Sequence, residues 1–179
     1  MKKITEMAHI VLAPYIHAEA ICADFTAGNG NDTLFFCERA QKGFVYAFDI
    51  QKEAVRQCEA VLKVYPNVKL ILDNHIHMEN YIHEQLDAAI FNFGYLPNSA
   101  STLVSEPQTS LIAVQRAFAL CKRHALLVLV CYPGHEIGEQ EAQCISEWCH
   151  TLKSDEARIM KIAMVNKPHA PFLYAIEKL

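Results

Sequence analysis

Short apolar, β-branched runs alternate with helical patterns along the 179-residue chain, and this alternation restricts the fold more than any other feature. Strands buried on both faces appear as continuous apolar runs, and crossover helices separate them in an α/β sheet. The pattern predicts seven strands, at 20–25, 43–50, 68–72, 88–93, 125–131, 159–165 and 172–177. It predicts helices at 4–17, 31–41, 51–64, 75–84, 108–122 and 138–152.

The connection between the last two predicted strands identifies the type of sheet. Only residues 166–171 separate them, whereas parallel neighbours need about a dozen connecting residues. We therefore expect a doubly wound, seven-stranded, mostly parallel Rossmann-like sheet that ends in an antiparallel hairpin. This is the class I methyltransferase variant of the Rossmann plan. No linker or repeat divides the chain, so residues 1–179 are predicted to form one domain.

A glycine turn, residues 24–33, follows the first predicted strand and opens a helix. Gly28 and Gly30 can adopt backbone angles that are sterically forbidden to other residues, and they can let a ligand approach the main chain. A dinucleotide site normally carries a third glycine, but Thr33 occupies that place. Asp24 adds an acid that can hold an amino-bearing ligand. Both departures favour S-adenosylmethionine over a pyrophosphate cofactor, although a purely structural turn remains an alternative.

Acidic residues end the next two predicted strands. Asp49 lies about 20 residues beyond the glycines, where a carboxylate can accept hydrogen bonds from both ribose hydroxyls. Asp73 and Asn74 can meet the adenine amino group, and helix capping is the equal alternative for Asp73. The predicted cofactor-binding residues are Asp24, Thr26, Gly28, Asn29, Gly30, Asn31, Asp32, Thr33, Asp49, Gln51, Asp73, Asn74, His75 and Asn92.

The fourth predicted strand ends in residues 92–97, Asn-Phe-Gly-Tyr-Leu-Pro, which resemble the Asn-Pro-Pro-Tyr motif of N-methyltransferases. In that class, the asparagine oxygen accepts a hydrogen bond from the target amine, and the aromatic ring covers the acceptor. Catalysis then rests largely on positioning and desolvation. We accordingly predict Asn92 and Tyr95 as catalytic residues, with a structural glycine turn as the alternative.

The loop after the fifth predicted strand supplies two further catalytic candidates, Tyr132 and His135. Both face the same edge of the sheet, and His135 can take a proton from a substrate ammonium. Capping of the next helix or contact with an RNA phosphate are open alternatives for His135.

Together these residues resemble a family of small bacterial enzymes, once labelled rRNA methylases and now assigned to tRNA modification. The family's enzyme is tRNA 5-(aminomethyl)-2-thiouridine methyltransferase. The resemblance runs over nearly the whole chain and is carried by residues 28–33, 46–51, 92–97, Gly134-His135-Glu136, Gly138, Glu141, Pro171-Phe172 and 175–178.

The resemblance implies S-adenosylmethionine as cofactor, the wobble uridine in the anticodon stem-loop of tRNA as substrate, and a homodimer. Two departures stand out: Phe25 replaces a small residue, and residues 98–102 replace a Gly-Gly-Asp-Lys segment. A methyltransferase for rRNA or a small molecule, and a noncatalytic nucleotide-binding module, remain alternatives. An NAD-dependent reductase is disfavoured by Thr33.

Composition sets the remaining expectations. Nucleic-acid-binding proteins usually carry a basic surface, and the net charge of −4 does not indicate one. The nine histidines can add positive charge, so net charge alone neither supports nor excludes an RNA substrate. The seven cysteines include no Cys-x-x-Cys pair, so we expect reduced thiols and no metal site. The first residues lack the apolar core of a signal peptide, and no apolar run reaches the roughly 20 residues of a membrane span. We expect a cytoplasmic protein without membrane contact.

Overall fold

The computed structural model describes residues 3–93 and 107–179, which form one seven-stranded sheet covered by helices on both faces. The strands are β1 Ile21–Asp24, β2 Phe44–Asp49, β3 Val68–Leu72, β4 Leu86–Asn92, β5 Cys121–Cys131, β6 Ala157–Ile162 and β7 Phe172–Lys178. The α-helices are α1 Ile4–Leu12, α2 Asn31–Arg39, α3 Lys52–Leu62, α4 Pro107–Leu120 and α5 Glu136–Thr151. Two 3-10 helices, Ala13–Tyr15 and His75–Asn80, complete the described elements.

The strand order is β3-β2-β1-β4-β5-β7-β6, with β1 to β5 parallel and β7 antiparallel to both β5 and β6. The predicted doubly wound sheet with a C-terminal antiparallel hairpin is confirmed. Strand order reverses between β1 and β4, so the chain leaves these neighbouring strands toward opposite sides. The crevice at their carboxyl ends is where open α/β sheets bind ligands.

Alternate side chains of each central strand enter two separate cores. Ala89 and Phe91 of β4 pack on the side of α4 and α5, whereas Ala88 and Ile90 pack on the side of α1, α2 and α3. Phe25, the departure noted above, stacks on Phe91 with ring centroids 4.6 Å apart. Its bulk therefore fills the first core directly beneath the turn that follows β1.

Several sequence-based boundaries are wrong. The α-helix predicted at 4–17 ends at Leu12, and the strand predicted at 159–165 is Ala157–Ile162. Two further elements differ for reasons that the contacts show. The helix predicted at 75–84 is the 3-10 helix His75–Asn80, with non-helical backbone angles at His77. Burial of His75 and the Asn74 side-chain cap on Ile76 N fix this short connection. Strand β5 begins at Cys121, four residues before its predicted start, because a register shift against β4 and a positive φ of 66° at His124 extend the pairing.

Among the described residues, none of the helices has both the length and the apolarity needed to cross a membrane. No group of three or more histidine, cysteine or acidic side chains in this part of the chain is arranged to hold a metal ion.

Candidate functional site

The turn between β1 and α2 is built around two left-handed glycines. Gly28 has φ +51° and Gly30 has φ +80°, and these conformations are strained for any residue that carries a side chain. Ala27 N donates to Phe48 O at 2.9 Å, which holds the turn against β2. Because Gly30 caps α2 without a side chain, the first N–H groups of that helix remain open to a ligand.

Asp49, at the tip of β2, is fixed by two backbone groups. Its Oδ2 accepts from Gly28 N at 2.9 Å, and its Oδ1 accepts from Gln51 N at 2.8 Å. A carboxylate has about four lone-pair sites, so each oxygen can still accept a hydroxyl. The half-exposed carboxylate thus offers what a ribose requires.

Asp24 and Thr33, both predicted as cofactor contacts, lie fully buried beneath the turn. Thr33 Oγ1 donates to Asp24 Oδ2 at 2.6 Å, and Thr26 N donates to Oδ1 at 3.0 Å. Burial, followed by the nearby Asp32 carboxylate, raises the pKa of Asp24. These two side chains determine the shape of the turn and do not face the cavity beside it.

A cavity of about 890 Å³ opens between α1, α2, the end of β4 at Asn92 and the loops that follow β5 and β6. This volume is within the range of small-molecule sites. The predicted residues that line it are Thr26, Gly28, Asn29, Asn31, Asp32, Asn92, Tyr132 and His135. Predicted cofactor residues that do not line it are Asp24, Gly30, Thr33, Asp49, Gln51, Asp73, Asn74 and His75. The cavity therefore adjoins the turn after β1 and the end of β4, and Asp49 lies outside its lining.

A hydrogen-bonded chain crosses the wall of this cavity. Asn92 Nδ2 donates to Asp32 Oδ2 at 3.1 Å, and Asn92 N donates to Thr26 Oγ1 at 2.7 Å. His9 Nε2 lies 2.5 Å from Asp32 Oδ1. Asn92 Oδ1 is buried and makes no hydrogen bond with any described residue. The amide is held firmly, and its buried oxygen is left without a hydrogen-bond donor among the described residues.

Sequence reasoning missed His9, Phe35 and Arg39, which also line the cavity. The His9 ring stacks on Phe35 with centroids 4.0 Å apart and planes 11° from parallel. The Arg39 guanidinium lies 3.9 Å from the Phe35 centroid. A single histidine on an amphipathic helix gives no signal in the sequence, because only packing of α1 against α2 brings it to Asp32.

Residues at the end of β3 bond to one another. Asp73 Oδ1 accepts from His77 Nδ1 at 2.9 Å and Oδ2 accepts from Tyr81 Oη at 2.9 Å, and the hydrogen bond from His77 is the main factor that lowers the Asp73 pKa. His75 Nδ1 bonds Phe25 O at 2.9 Å. Asn74 caps the 3-10 helix. The capping alternative stated for Asp73 is therefore wrong, because Asn74 caps this helix and Asp73 bonds His77 and Tyr81 instead.

The loop after β5 orients His135 as the N-cap of α5. Its Nδ1 accepts from Gly138 N at 3.1 Å, so in the neutral ring the proton resides on Nε2. Burial, followed by the Asp32 and Cys131 charges, raises the pKa of Tyr132, and its phenol stays protonated at neutral pH. Tyr95 and the rest of its predicted motif after Phe93 lie outside the described residues.

The chain matches the family model described as "Putative rRNA methylase" over residues 45–177. It is 33% identical to the chloroplastic tRNA (mnm(5)s(2)U34)-methyltransferase of Arabidopsis thaliana, over 96% of this chain and 68% of that protein. A second relative, the ribosomal RNA small subunit methyltransferase H of Onion yellows phytoplasma, is 28% identical over 52% of this chain and 31% of that protein.

Solved structures agree with these matches. A methyltransferase of Streptococcus mutans in complex with SAH superposes with a TM-score of 0.90 at 32% identity, covering 100% of this chain and 99% of that one. An rRNA methylase of Streptococcus thermophilus gives a TM-score of 0.85 at 30% identity, covering 100% and 98%. The chain therefore belongs to the rRNA methylase family of S-adenosylmethionine-dependent methyltransferases.

Proposed function

We propose that this chain binds S-adenosylmethionine and methylates a primary amine, the 5-aminomethyl group of a modified wobble uridine in tRNA. The observation that carries the proposal is the buried, unpaired oxygen of Asn92. A buried amide oxygen without a partner costs roughly 1–3 kcal/mol, so an unpaired one at a cavity wall suits a ligand donor. An amine N–H is such a donor.

The cofactor side of the proposal rests on the turn and on Asp49. Gly28 lines the cavity without a side chain, and Asp49 retains lone pairs for two hydroxyls. S-adenosylmethionine would supply an electrophilic methyl group on its sulfonium. The S. mutans neighbour, solved with SAH, supports placing this cofactor here.

Asn92 would orient the acceptor. Asp32 accepts the amide hydrogen of Nδ2, and this leaves Oδ1 as the unpaired end of the side chain. An amine that donates one hydrogen to Oδ1 has its lone pair directed away from Asn92, toward the reacting carbon. Tyr132, more than half buried at the cavity wall, helps to exclude water. Positioning of this kind contributes much of the rate in transfers of small groups.

The tRNA substrate is supported by the A. thaliana relative, whose name specifies the mnm(5)s(2)U34 position. The test uses tRNA from cells that lack the final methylation, incubated with the protein and S-adenosylmethionine. Digestion and mass spectrometry should show one added methyl group on the wobble nucleoside. Fully methylated tRNA is the control and should show no gain. An unchanged wobble nucleoside would refute the tRNA assignment.

Methylation of rRNA is the second candidate. The phytoplasma relative, whose name specifies small-subunit ribosomal RNA, favours it. Incubation of labelled S-adenosylmethionine with tRNA, small-subunit rRNA and a metabolite extract in parallel separates the candidates. Label confined to rRNA or to the extract would replace the tRNA proposal. Binding without transfer to any of the three would favour the noncatalytic alternative.

We also propose that the protein is a homodimer, as the resemblance implies, and that it is cytoplasmic, as we expect from its sequence. Light scattering after size-exclusion chromatography tests the dimer, which should have twice the 20.2 kDa of one chain. A mass of one chain at micromolar concentration would contradict it.

A further inference from the structure

We propose that His9, oriented by Asp32, is the general base that removes a proton from the substrate amine before methyl transfer. This inference rests on the proposed N-methylation and adds a residue to it. No sequence motif pointed to this histidine. Its position is known only from the packing of α1 beside the turn that follows β1.

The hydrogen bond to Asp32 determines which ring nitrogen is available. Asp32 Oδ2 already accepts from Asn92, so the carboxylate acts as an acceptor for His9 Nε2–H as well. The neutral ring then carries its lone pair on Nδ1. Nδ1 makes no hydrogen bond to the residues described, and stacking on Phe35 keeps the ring in place. A carboxylate that orients a histidine in this way also stabilises the imidazolium that forms.

The same carboxylate connects the base to the acceptor site. Asp32 contacts His9 through one oxygen and Asn92 through the other, so both side chains lie on one cavity wall. The side chain of Asp32 is about nine-tenths buried, with 9% exposed, which limits competition from water. An amine held by Asn92 Oδ1 would therefore be presented within the same small volume as His9.

The chemistry requires a base because a primary aliphatic amine, with a pKa near ~10.4 for lysine, is largely protonated at neutral pH. An ammonium has no lone pair for attack. In the proposed step, the ammonium N–H bond breaks and the proton moves to His9 Nδ1, while its electrons remain on nitrogen. That lone pair forms the new N–CH₃ bond, the C–S bond breaks, and its electrons stay on sulfur. The product is a secondary ammonium and SAH.

Other groups in the cavity fit the role less well. His135 uses Nδ1 to cap α5, so its neutral form presents a proton at Nε2 and not a lone pair. Asp24 is fully buried, with both oxygens bonded inside the turn. The remaining ionisable groups around His9 come from α1, α2 and the loops beside β5 and β7: Glu6, Glu38, Arg39, Tyr132 and His169.

The test compares His9→Gln with a matched control, His17→Gln. Glutamine keeps a donor for Asp32 and has no basic nitrogen. His17 also bonds a carboxylate, Asp87 Oδ1 at 3.0 Å, but at the amino end of β4 on the opposite edge of the sheet. Methyl transfer to aminomethyl tRNA is measured at pH 7 and pH 9, and SAH affinity is measured by calorimetry.

We expect His9→Gln to lower kcat about 100-fold at pH 7, and the deficit to shrink below about 10-fold at pH 9, where more free amine is present. SAH affinity should stay within about twofold in this variant, and His17→Gln should match the unmodified protein. An equal loss at both pH values, a retained rate, or a large loss of SAH affinity would each overturn the role of His9. If the unmodified protein itself leaves the amine untouched, the proposed function fails first and the base fails with it.

Discussion

The backbone N–H of Gly28 donates to Asp49 Oδ2 at 2.9 Å, which joins the turn after β1 to the tip of β2. These residues are 21 positions apart in the chain. Gly28 reaches the carboxylate only because its left-handed φ of +51° turns the main chain inward. The conformation of Gly28 and the orientation of the Asp49 carboxylate are therefore interdependent. A change in either residue should alter both the turn after β1 and the tip of β2 in the proposed nucleoside site.

Replacing Asp49 with alanine should weaken cofactor binding. The substitution removes the acceptor for two backbone N–H groups and the lone pairs proposed for the ribose. We expect the Kd for SAH to rise by about 10-fold or more, as expected for loss of charge-assisted hydrogen bonds worth roughly 1.5–3 kcal/mol each. Calorimetry gives the value. Asp155→Ala, at an exposed position, is the control, and equal affinity in both variants would contradict the ribose assignment.

The parts of the fold that were predictable from sequence are those governed by local pattern. Buried parallel strands leave apolar runs, and the short 166–171 connection allows only an antiparallel hairpin. The helix predicted at 75–84 failed because tertiary contacts override propensity there: His75 is drawn into the core by Phe25 O. The early start of β5 depends on pairing with β4, which no local pattern shows.

The site, like the fold, was predictable from the sequence only in part. Glycines and acids at strand ends identify the edge of the sheet, so residues such as Asp32 and Asn92 were found. The sequence did not distinguish residues that face the cavity from those that support it, as Asp24 and Thr33 show. His9 is 23 positions from Asp32, and only the assembled core brings the two together.

Glu141 should make stability depend on pH. Burial raises its pKa to about 7, against the weaker opposite effect of the hydrogen bond from Ser110 Oγ. The folded state binds this proton more tightly than the unfolded state, so the stability it provides is lost as pH rises from about 4.5 to about 7. Glu141→Gln removes the buried charge and keeps the acceptor for Ser110. We expect the variant to gain about 1–3 kcal/mol in unfolding free energy relative to the unmodified protein between pH 5 and pH 8.

Urea unfolding at the two pH values measures this difference. Glu147→Gln, on the exposed side of the same helix, is the control and should show no such gain. A Glu141→Gln variant that is no more stable at pH 8 than at pH 5, relative to the unmodified chain, would show that the carboxyl ionises at its ordinary pKa.

Gly138 should tolerate no side chain. A Cβ there would lie 2.2 Å from Tyr132 O and 2.9 Å from His135 Cε1. We expect Gly138→Ala to lower the unfolding free energy by about 1–3 kcal/mol, because the cap of α5 must move. Gly134→Ala, in the loop before α5, would place its Cβ no closer than 4.0 Å to His169 O and should change stability by under about 0.5 kcal/mol. Similar melting temperatures for the two variants would contradict the capping geometry.

The cysteines should differ sharply in reactivity. All seven are free, and only Cys144 is not buried. Burial raises the pKa of Cys37, Cys58, Cys121 and Cys149 to about 12, so few thiolates form at neutral pH. Ellman's reagent should titrate Cys144 rapidly in the folded protein and all seven thiols after unfolding. Rapid reaction of several thiols in the folded protein would indicate a looser core.

The central claim is that Asn92 Oδ1 accepts the substrate amine while Asp49 and the glycine turn hold the cofactor, and Asn92→Ala tests it most directly. Methyl transfer to aminomethyl tRNA and SAH affinity are measured on the same preparation. We predict that kcat falls about 100-fold while the Kd for SAH changes by less than about threefold. Full transfer activity in Asn92→Ala, or a loss that is explained entirely by weaker SAH binding, would contradict the account.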